Sequence, residues 1–161
     1  MAVEFRKFSE FNRGIMLNML RDAYSFEPGY EKDWLEEWKK ADDFFYENLH
    51  IADKCGFVTV ADGVPVGFIC WDPRNLPARA EIGHNCIITP YKGKGYGRTQ
   101  LREAVARIEK SGAEKIIVTT DECLLPARRN YESAGFRLIR FRENGHNPQY
   151  AGRLMDYEKL Q

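Results

Sequence analysis

Between Ala78 and Gly97 the chain runs ARAEIGHNCIITPYKGKGYG. A strand-like run, Glu81 to Thr89, meets Pro90, and glycines follow at every second position: Gly93, Gly95 and Gly97. An amphipathic helix is predicted next, from Arg98 to Lys110, with Leu101, Val105 and Ile108 on its core face and Gly112 placed to end it. Strand, glycine loop and helix in that order make an anion-binding geometry. Glycine keeps a Cβ out of the way of a ligand. The N–H groups of the first helical turn, backed by the helix dipole, face the anion. Lys92, Lys94 and Arg98 add cationic side chains around the same loop. A solvated strand–helix turn is the plainer alternative, and the convergence of three glycines with three cations argues against it.

The segment Lys92-Gly-Lys-Gly95-Tyr-Gly97 resembles the Arg/Gln-x-x-Gly-x-Gly/Ala motif of the GCN5-related N-acetyltransferases. In that family the loop binds the pyrophosphate of coenzyme A. The family's later aromatic-Glu-x-x-Gly-Phe pattern is matched by Tyr131-Glu-Ser-Ala-Gly135-Phe136. The two motifs stand in the family's order, and with the strand pattern the resemblance covers nearly the whole chain. Two positions depart from it: Lys92 stands where Arg or Gln is usual, and Leu124 where many members carry Asn.

A chain of 161 residues is most simply one domain, residues 1–161, with room for a sizeable core. Lysine plus arginine equals aspartate plus glutamate, and no basic stripe extends beyond the loop, which speaks against a nucleic-acid partner. No apolar run approaches the roughly 20 residues of a membrane span. The start, MAVEFRKFSE, has no export-signal pattern, so a cytoplasmic location is expected. Cys55, Cys70, Cys86 and Cys123 are scattered singly, without metal-ligand spacing, and are expected to be reduced thiols. No metal is expected.

In chain order, the pattern predicts a short strand Val3 to Phe8, then a helix from Glu10 to about Tyr24 capped by Ser9. Pro28-Gly29 interrupts the pattern, and a second helix is predicted from about Glu31 to Leu49, with Trp34, Trp38, Ala41 and Phe45 on one side. Asp62-Gly63 between apolar runs predicts a hairpin of Phe57–Ala61 with Val64–Trp71. Lys115 to Thr120 is a buried-type strand, and Pro126 opens a short helix, Ala127 to Ala134. Phe136–Phe141 and Arg153–Glu158 are further strands, separated by a loop from Glu143 to Pro148. The fold class is mixed α/β, with antiparallel hairpins on both sides of a central βαβ unit. The resemblance adds the sheet order and helices on both faces.

The resemblance implies transfer of an acetyl group from acetyl-coenzyme A to an amine. Backbone N–H groups from Lys92 to Arg98, including Tyr96, would hold the cofactor. The backbone of Ile87, Ile88 and Thr89 would pair with its pantetheine arm. That strand would also offer an N–H to the developing oxyanion. An alkylamine titrates near ~10.4, so a base or desolvation is needed to free its lone pair. Glu81 is the first candidate base and His84 the second. Tyr131 matches the family's acid for the leaving thiolate. Trp34 and Trp38, in the region that forms the family's acceptor pocket, are candidates to line it, although core packing explains them as well. Such domains commonly pair in the family. Two rivals stand beside this reading. A Rossmann site wants Gly-x-Gly-x-x-Gly, one residue longer than the spacing here. A non-catalytic acyl-coenzyme A binder would share the fold.

Overall fold

The computed structural model describes residues 2–146 and 148–161, so Asn147 of the predicted loop and the first methionine lie outside it. The elements in chain order are β1 (Val3–Arg6), α1 (Ile15–Ala23), α2 (Pro28–Glu47), α3 (Leu49–Lys54), β2 (Gly56–Ala61), β3 (Val64–Asp72) and β4 (Ala80–Ile87). They continue with α4 (Tyr96–Lys110), β5 (Lys115–Asp121), α5 (Leu125–Ser133), β6 (Arg137–Arg142), α6 (Pro148–Ala151) and β7 (Leu154–Leu160). The strands form a mixed sheet in the order β1-β2-β3-β4-β5-β7-β6. The chain divides into two compact units, one of residues 1–70 and 84–100, the other of residues 71–83 and 101–161.

In the first unit, β1 pairs antiparallel with β2, and β2 with β3. The predicted hairpin forms at Asp62 and Gly63, both with positive φ (49° and 81°), as a primed two-residue turn requires. β2 is buried along its whole length, so it is a central strand rather than a half-exposed one. The core is aromatic: the Phe8 ring meets those of Phe45 and Phe68 edge-on, at 5.4 and 5.9 Å.

The start of α1 departs from the sequence expectation. Ser9 lies within a single 3-10 turn, Phe8–Glu10, and α1 begins only at Ile15. Its cap comes from another helix. The buried carboxylate of Asp42, on α2, accepts the N–H groups of Gly14 (2.9 Å) and Met16 (3.2 Å), and more weakly that of Leu17 (3.4 Å). A local serine cannot supply three acceptors to an N-terminus, whereas one buried carboxylate can. Pro28 likewise starts a helix instead of interrupting one: it opens α2, and the Glu27 side chain accepts Gly29 N–H at 3.0 Å. The predicted second helix is α2, which stops at Glu47, and beyond Asn48 the chain forms a further short helix, α3, that the sequence pattern did not indicate.

In the second unit, β4 pairs parallel with β5 through Ala80–Ile116, Glu81–Ile117 and Ile82–Val118. β7 lies antiparallel between β5 and β6, with seven register pairs against β5. Ile116, Val118, Met155 and Tyr157 form its buried centre. Thr119 Oγ1 donates to Asp156 at 2.7 Å, and Arg140 and Arg142 reach the same carboxylate at 2.7 and 2.6 Å. Their charges hold the Asp156 carboxyl down at about 2, with the Arg142 hydrogen bond the largest cause. β6 is exposed along its whole length. A short helix, α6, follows where the predicted loop ends at Pro148, and the sequence pattern did not indicate it.

Candidate functional site: the loop at the head of α4

β4 ends at Ile87 and passes into a single 3-10 turn, Thr89–Tyr91, in which Pro90 supplies the fixed φ. Tyr91 N–H donates to Ile88 C=O at 3.0 Å and Lys92 N–H to Thr89 C=O at 3.3 Å. The chain then passes through Gly93 and Gly95 with φ of 74° and 90°. A Cβ at either glycine would meet nothing within 4 Å, so glycine is needed here for its backbone angle and not for space. That geometry leaves the loop's outer side open to a ligand.

α4 starts at Tyr96, two residues before the predicted Arg98. Thr99 N–H donates to Gly95 C=O at 3.1 Å, which makes Gly95 the residue before the first turn. The amides of Gly97 and Arg98 therefore fall where a helix offers no acceptor of its own, at the positive end of its dipole. Arg98 and Lys94 are exposed beside them, with Lys94 Nζ 5.5 Å from the Tyr91 ring centroid. The Tyr96 side chain is buried against Ala61 and Val66 and anchors the helix.

Lys92 does something else. Its ammonium donates to Ala23 C=O, at the end of α1, and lies 4.9 Å from the centroid of the Phe26 ring. Burial pushes its pKa down, opposed by the charge of Asp22. Of the strand residues expected to pair with a ligand, Ile88 already donates its N–H to Val66 C=O at 2.8 Å. Thr89 donates its N–H to Asp22 Oδ1 at 2.6 Å. Ile87 is half-buried.

Gln100 fixes the strand from behind. It is fully buried, and its Nε2 donates to Phe68 C=O and Asn85 Oδ1, both at 2.8 Å, while its Oε1 accepts from Thr59 Oγ1 at 2.7 Å. One amide thus ties α4 to β2, β3 and β4 within the first unit. The sequence carried a signal for it: Tyr96, Gln100, Ala104 and Ile108 repeat at four-residue spacing, so Gln100 lies on the buried stripe. Asp22 and Asp42 carried no such signal, because their partners come from elsewhere in the chain.

The remaining candidates divide between the units. His84 is half-buried in the first, its ring 6.5 Å from that of Phe68. Burial pushes its pKa below the usual imidazole range, opposed by the carboxylate of Glu37. The ring is therefore neutral near pH 7. Trp38 is buried and stacks on Tyr24 at 5.5 Å, as core packing predicts, whereas Trp34 is half-buried. Glu81 and Tyr131 belong to the second unit. Glu81 is exposed on β4, and its charge adds a small part to the rise of the Arg142 guanidinium, which comes first from the hydrogen bond to Asp156. Tyr131 is buried on α5, edge-on to Phe136 at 5.6 Å, with Tyr157 at 6.1 Å.

Cys55, Cys70 and Cys86 are buried thiols and Cys123 is exposed. Burial pushes Cys70 and Cys86 up to about 12, so neither is a nucleophile at neutral pH. Among the described residues, no group of three or more His, Cys, Asp or Glu side chains is placed to hold a metal ion. None of the described helices is long and apolar enough to cross a membrane.

Solved structures share this architecture. The PaiA N-acetyltransferase of Thermoplasma acidophilum, solved with coenzyme A, superposes with a TM-score of 0.79 at 19% identity, over 100% of both chains. The ribosomal-protein-alanine N-acetyltransferase of Brucella melitensis gives 0.75 at 15% identity, again over 100% of both. The ribosomal-protein-S18-alanine N-acetyltransferase of Escherichia coli gives 0.72 at 15%, over 99% of this chain and 92% of its own. No curated protein sequence matches the chain. The model of the acetyltransferase (GNAT) family matches residues 16–136, a span that takes in α1, the glycine loop and the Tyr131 segment. By that match, and with a fold common to these enzymes, the chain belongs to the acetyltransferase (GNAT) family.

Proposed function

We propose that the protein is an N-acetyltransferase that moves an acetyl group from acetyl-coenzyme A to a primary amine by direct attack in a ternary complex. The observation that carries this reading is the loop at the head of α4: two positive-φ glycines, open on their outer side, lead into first-turn amides, in a chain of this family. Whole-chain matches to N-acetyltransferase structures support treating residues 1–161 as one catalytic domain.

The pyrophosphate of coenzyme A is assigned to the amides from Gly93 to Arg98, with Lys94 and Arg98 as counter-charges. The pantetheine arm is assigned to the backbone of Ile87, because the amides of Ile88 and Thr89 have protein acceptors. The acceptor amine is a small molecule or a peptide terminus, and Trp34, half-buried on α2, is assigned to its pocket. The amine loses a proton to Glu81 or His84, and its lone pair forms the new C–N bond at the thioester carbonyl. The C–S bond then breaks, Tyr131 supplies the proton that makes the leaving thiolate a thiol, and the second proton released by the acylated nitrogen restores Tyr131. A thiol of pKa near ~8.5 leaves fairly well unaided, so Tyr131 contributes moderately.

Calorimetric titration of the purified protein with acetyl-coenzyme A, and separately with NAD, tests the assignment. Coenzyme A binding that is lost in Gly95→Val, without NAD binding, is the expected result. NAD binding alone would overturn it. A thiol-release assay with an amine library then separates an enzyme from a binding module, since the latter binds acetyl-coenzyme A and turns over no amine.

A further inference from the structure

The last turn of α1 meets the start of the glycine loop at three points. Asp22 Oδ1 accepts the N–H of Thr89 at 2.6 Å, and Asp22 C=O accepts the Thr89 hydroxyl at 3.0 Å. Ala23 C=O accepts from Lys92 Nζ, whose charge also lies over the Phe26 ring. The carbonyls at a helix C-terminus lack helical partners, and the dipole there favours a cation. Lys92 supplies both donor and charge. Asp22 and Thr89 are exposed, where water competes for each single bond. The contacts hold because they converge on two adjacent residues at one end and on the two ends of one 3-10 turn at the other.

We propose that Asp22, Thr89 and Lys92 form a latch that sets the glycine loop for coenzyme A; the inference rests on the acetyl-coenzyme A reading of that loop. Lys92 is then a positioning residue and not a phosphate ligand, although it occupies the first position of the phosphate-binding motif. The anion's charge is met by Lys94, Arg98 and the helix amides. Asp22 is the second positioning residue. It holds the Thr89 amide by a charge-assisted bond and fixes the point at which strand becomes loop. Four residues join α1 to α2, so the latch also connects the helix that carries Trp34, assigned to the acceptor, to the loop assigned to the cofactor.

Three measurements test it. Amide hydrogen exchange of the free protein is expected to show Thr89 protected in the wild type and fast-exchanging in Asp22→Ala, with Asp22→Asn between them. Equal protection in wild type and Asp22→Ala overturns the latch. In coenzyme A titrations, Asp22→Ala and Lys92→Met are expected to weaken binding roughly tenfold, the effect of one lost charge-assisted hydrogen bond, while Lys92→Arg stays within roughly twofold. Unchanged affinity in both, with circular dichroism showing folded protein, overturns the role in cofactor binding. The salt dependence of the affinity separates positioning from phosphate contact. Lys94→Met is expected to flatten it and Lys92→Met to leave it as in the wild type. Equal flattening by both makes Lys92 a phosphate ligand and overturns its assignment. A wild type that takes up no coenzyme A, but whose Thr89 protection still depends on Asp22, supports the latch while overturning the coenzyme A reading and the role built on it.

Discussion

A methyl group at Gly67 would lie 2.3 Å from the carbonyl oxygen of Cys86 and 2.6 Å from Ile87 Cδ1. β3 and the end of β4 approach each other there more closely than any other residue permits, and the Gln100 amide spans the same place. Gly67→Ala is therefore expected to push Cys86 and Ile87 away. The cost is about 3 kcal/mol, at the upper end for overpacking because the obstructing atom is backbone. Urea denaturation measures the loss. Coenzyme A titration of the folded fraction is expected to show weaker binding, since Ile87 belongs to the assigned site.

Asp42 caps a helix from a distance. Asp42→Ala leaves the amides of Gly14 and Met16 without their acceptor in a half-buried place. The expected loss is about 2 kcal/mol, more than a surface cap because the acceptor is charged and serves several donors. For a chain of this size that lowers Tm by about 4–8 °C. A thermal melt unchanged within a degree would show that α1 is held by its packing alone.

Acid sensitivity is expected to centre on Asp156. Its carboxyl is held at about 2 by Arg142, Thr119 and Arg140, against an unfolded value near ~3.9. A depressed carboxylate stabilises the fold above the unfolded pKa, and that stability is lost as pH falls through the folded one. The window is therefore from about pH 4 down to about pH 2, with about 2 kcal/mol at stake, an upper figure because Arg140 and Arg142 are themselves largely exposed. Asp156→Asn is expected to be less stable at pH 7 and to lose this part of the slope. Stability-versus-pH curves of the two proteins that stay parallel through the window would place the acid response elsewhere.

The pH–rate profile distinguishes the two candidate bases. If His84 takes the proton, kcat/KM rises through a pKa below the usual imidazole value of ~6.5, because burial depresses it. Glu37→Gln then moves that limb to still lower pH, since the carboxylate that favours the imidazolium is gone. His84→Gln removes the limb. A limb that survives His84→Gln and disappears in Glu81→Gln assigns the base to Glu81.

Tyr131→Phe tests the acid. The ring packs against Phe136 in a buried site, and Phe keeps that packing. Turnover is expected to fall about 10- to 100-fold with coenzyme A affinity unchanged, as for loss of a moderate general acid. Equal turnover would leave Tyr131 with a packing role only.

The local code of this chain is strong at its turns. Asp62-Gly63 determined a hairpin, Pro90 and the alternating glycines determined where β4 hands over to α4, and Pro126 and Gly135 bracket α5, because each of these residues restricts or releases φ at its own position. The spacing of Leu101, Val105 and Ile108 likewise marked a buried face of α4. Ser9 and Pro28 misled, since capping preferences describe what a residue offers its neighbours, while α1 takes its cap from Asp42 on another helix. The same limit applied at the loop. Lys92, Lys94 and Arg98 are equivalent cations in sequence, and only folding turned Lys92 toward the end of α1. Asp22 and Thr89 stand 67 residues apart, and no local pattern records a bond between them. Backbone angles are chosen residue by residue and are legible in the sequence. The partners of charges are chosen by which segments packing brings together, and only the tertiary structure decides them.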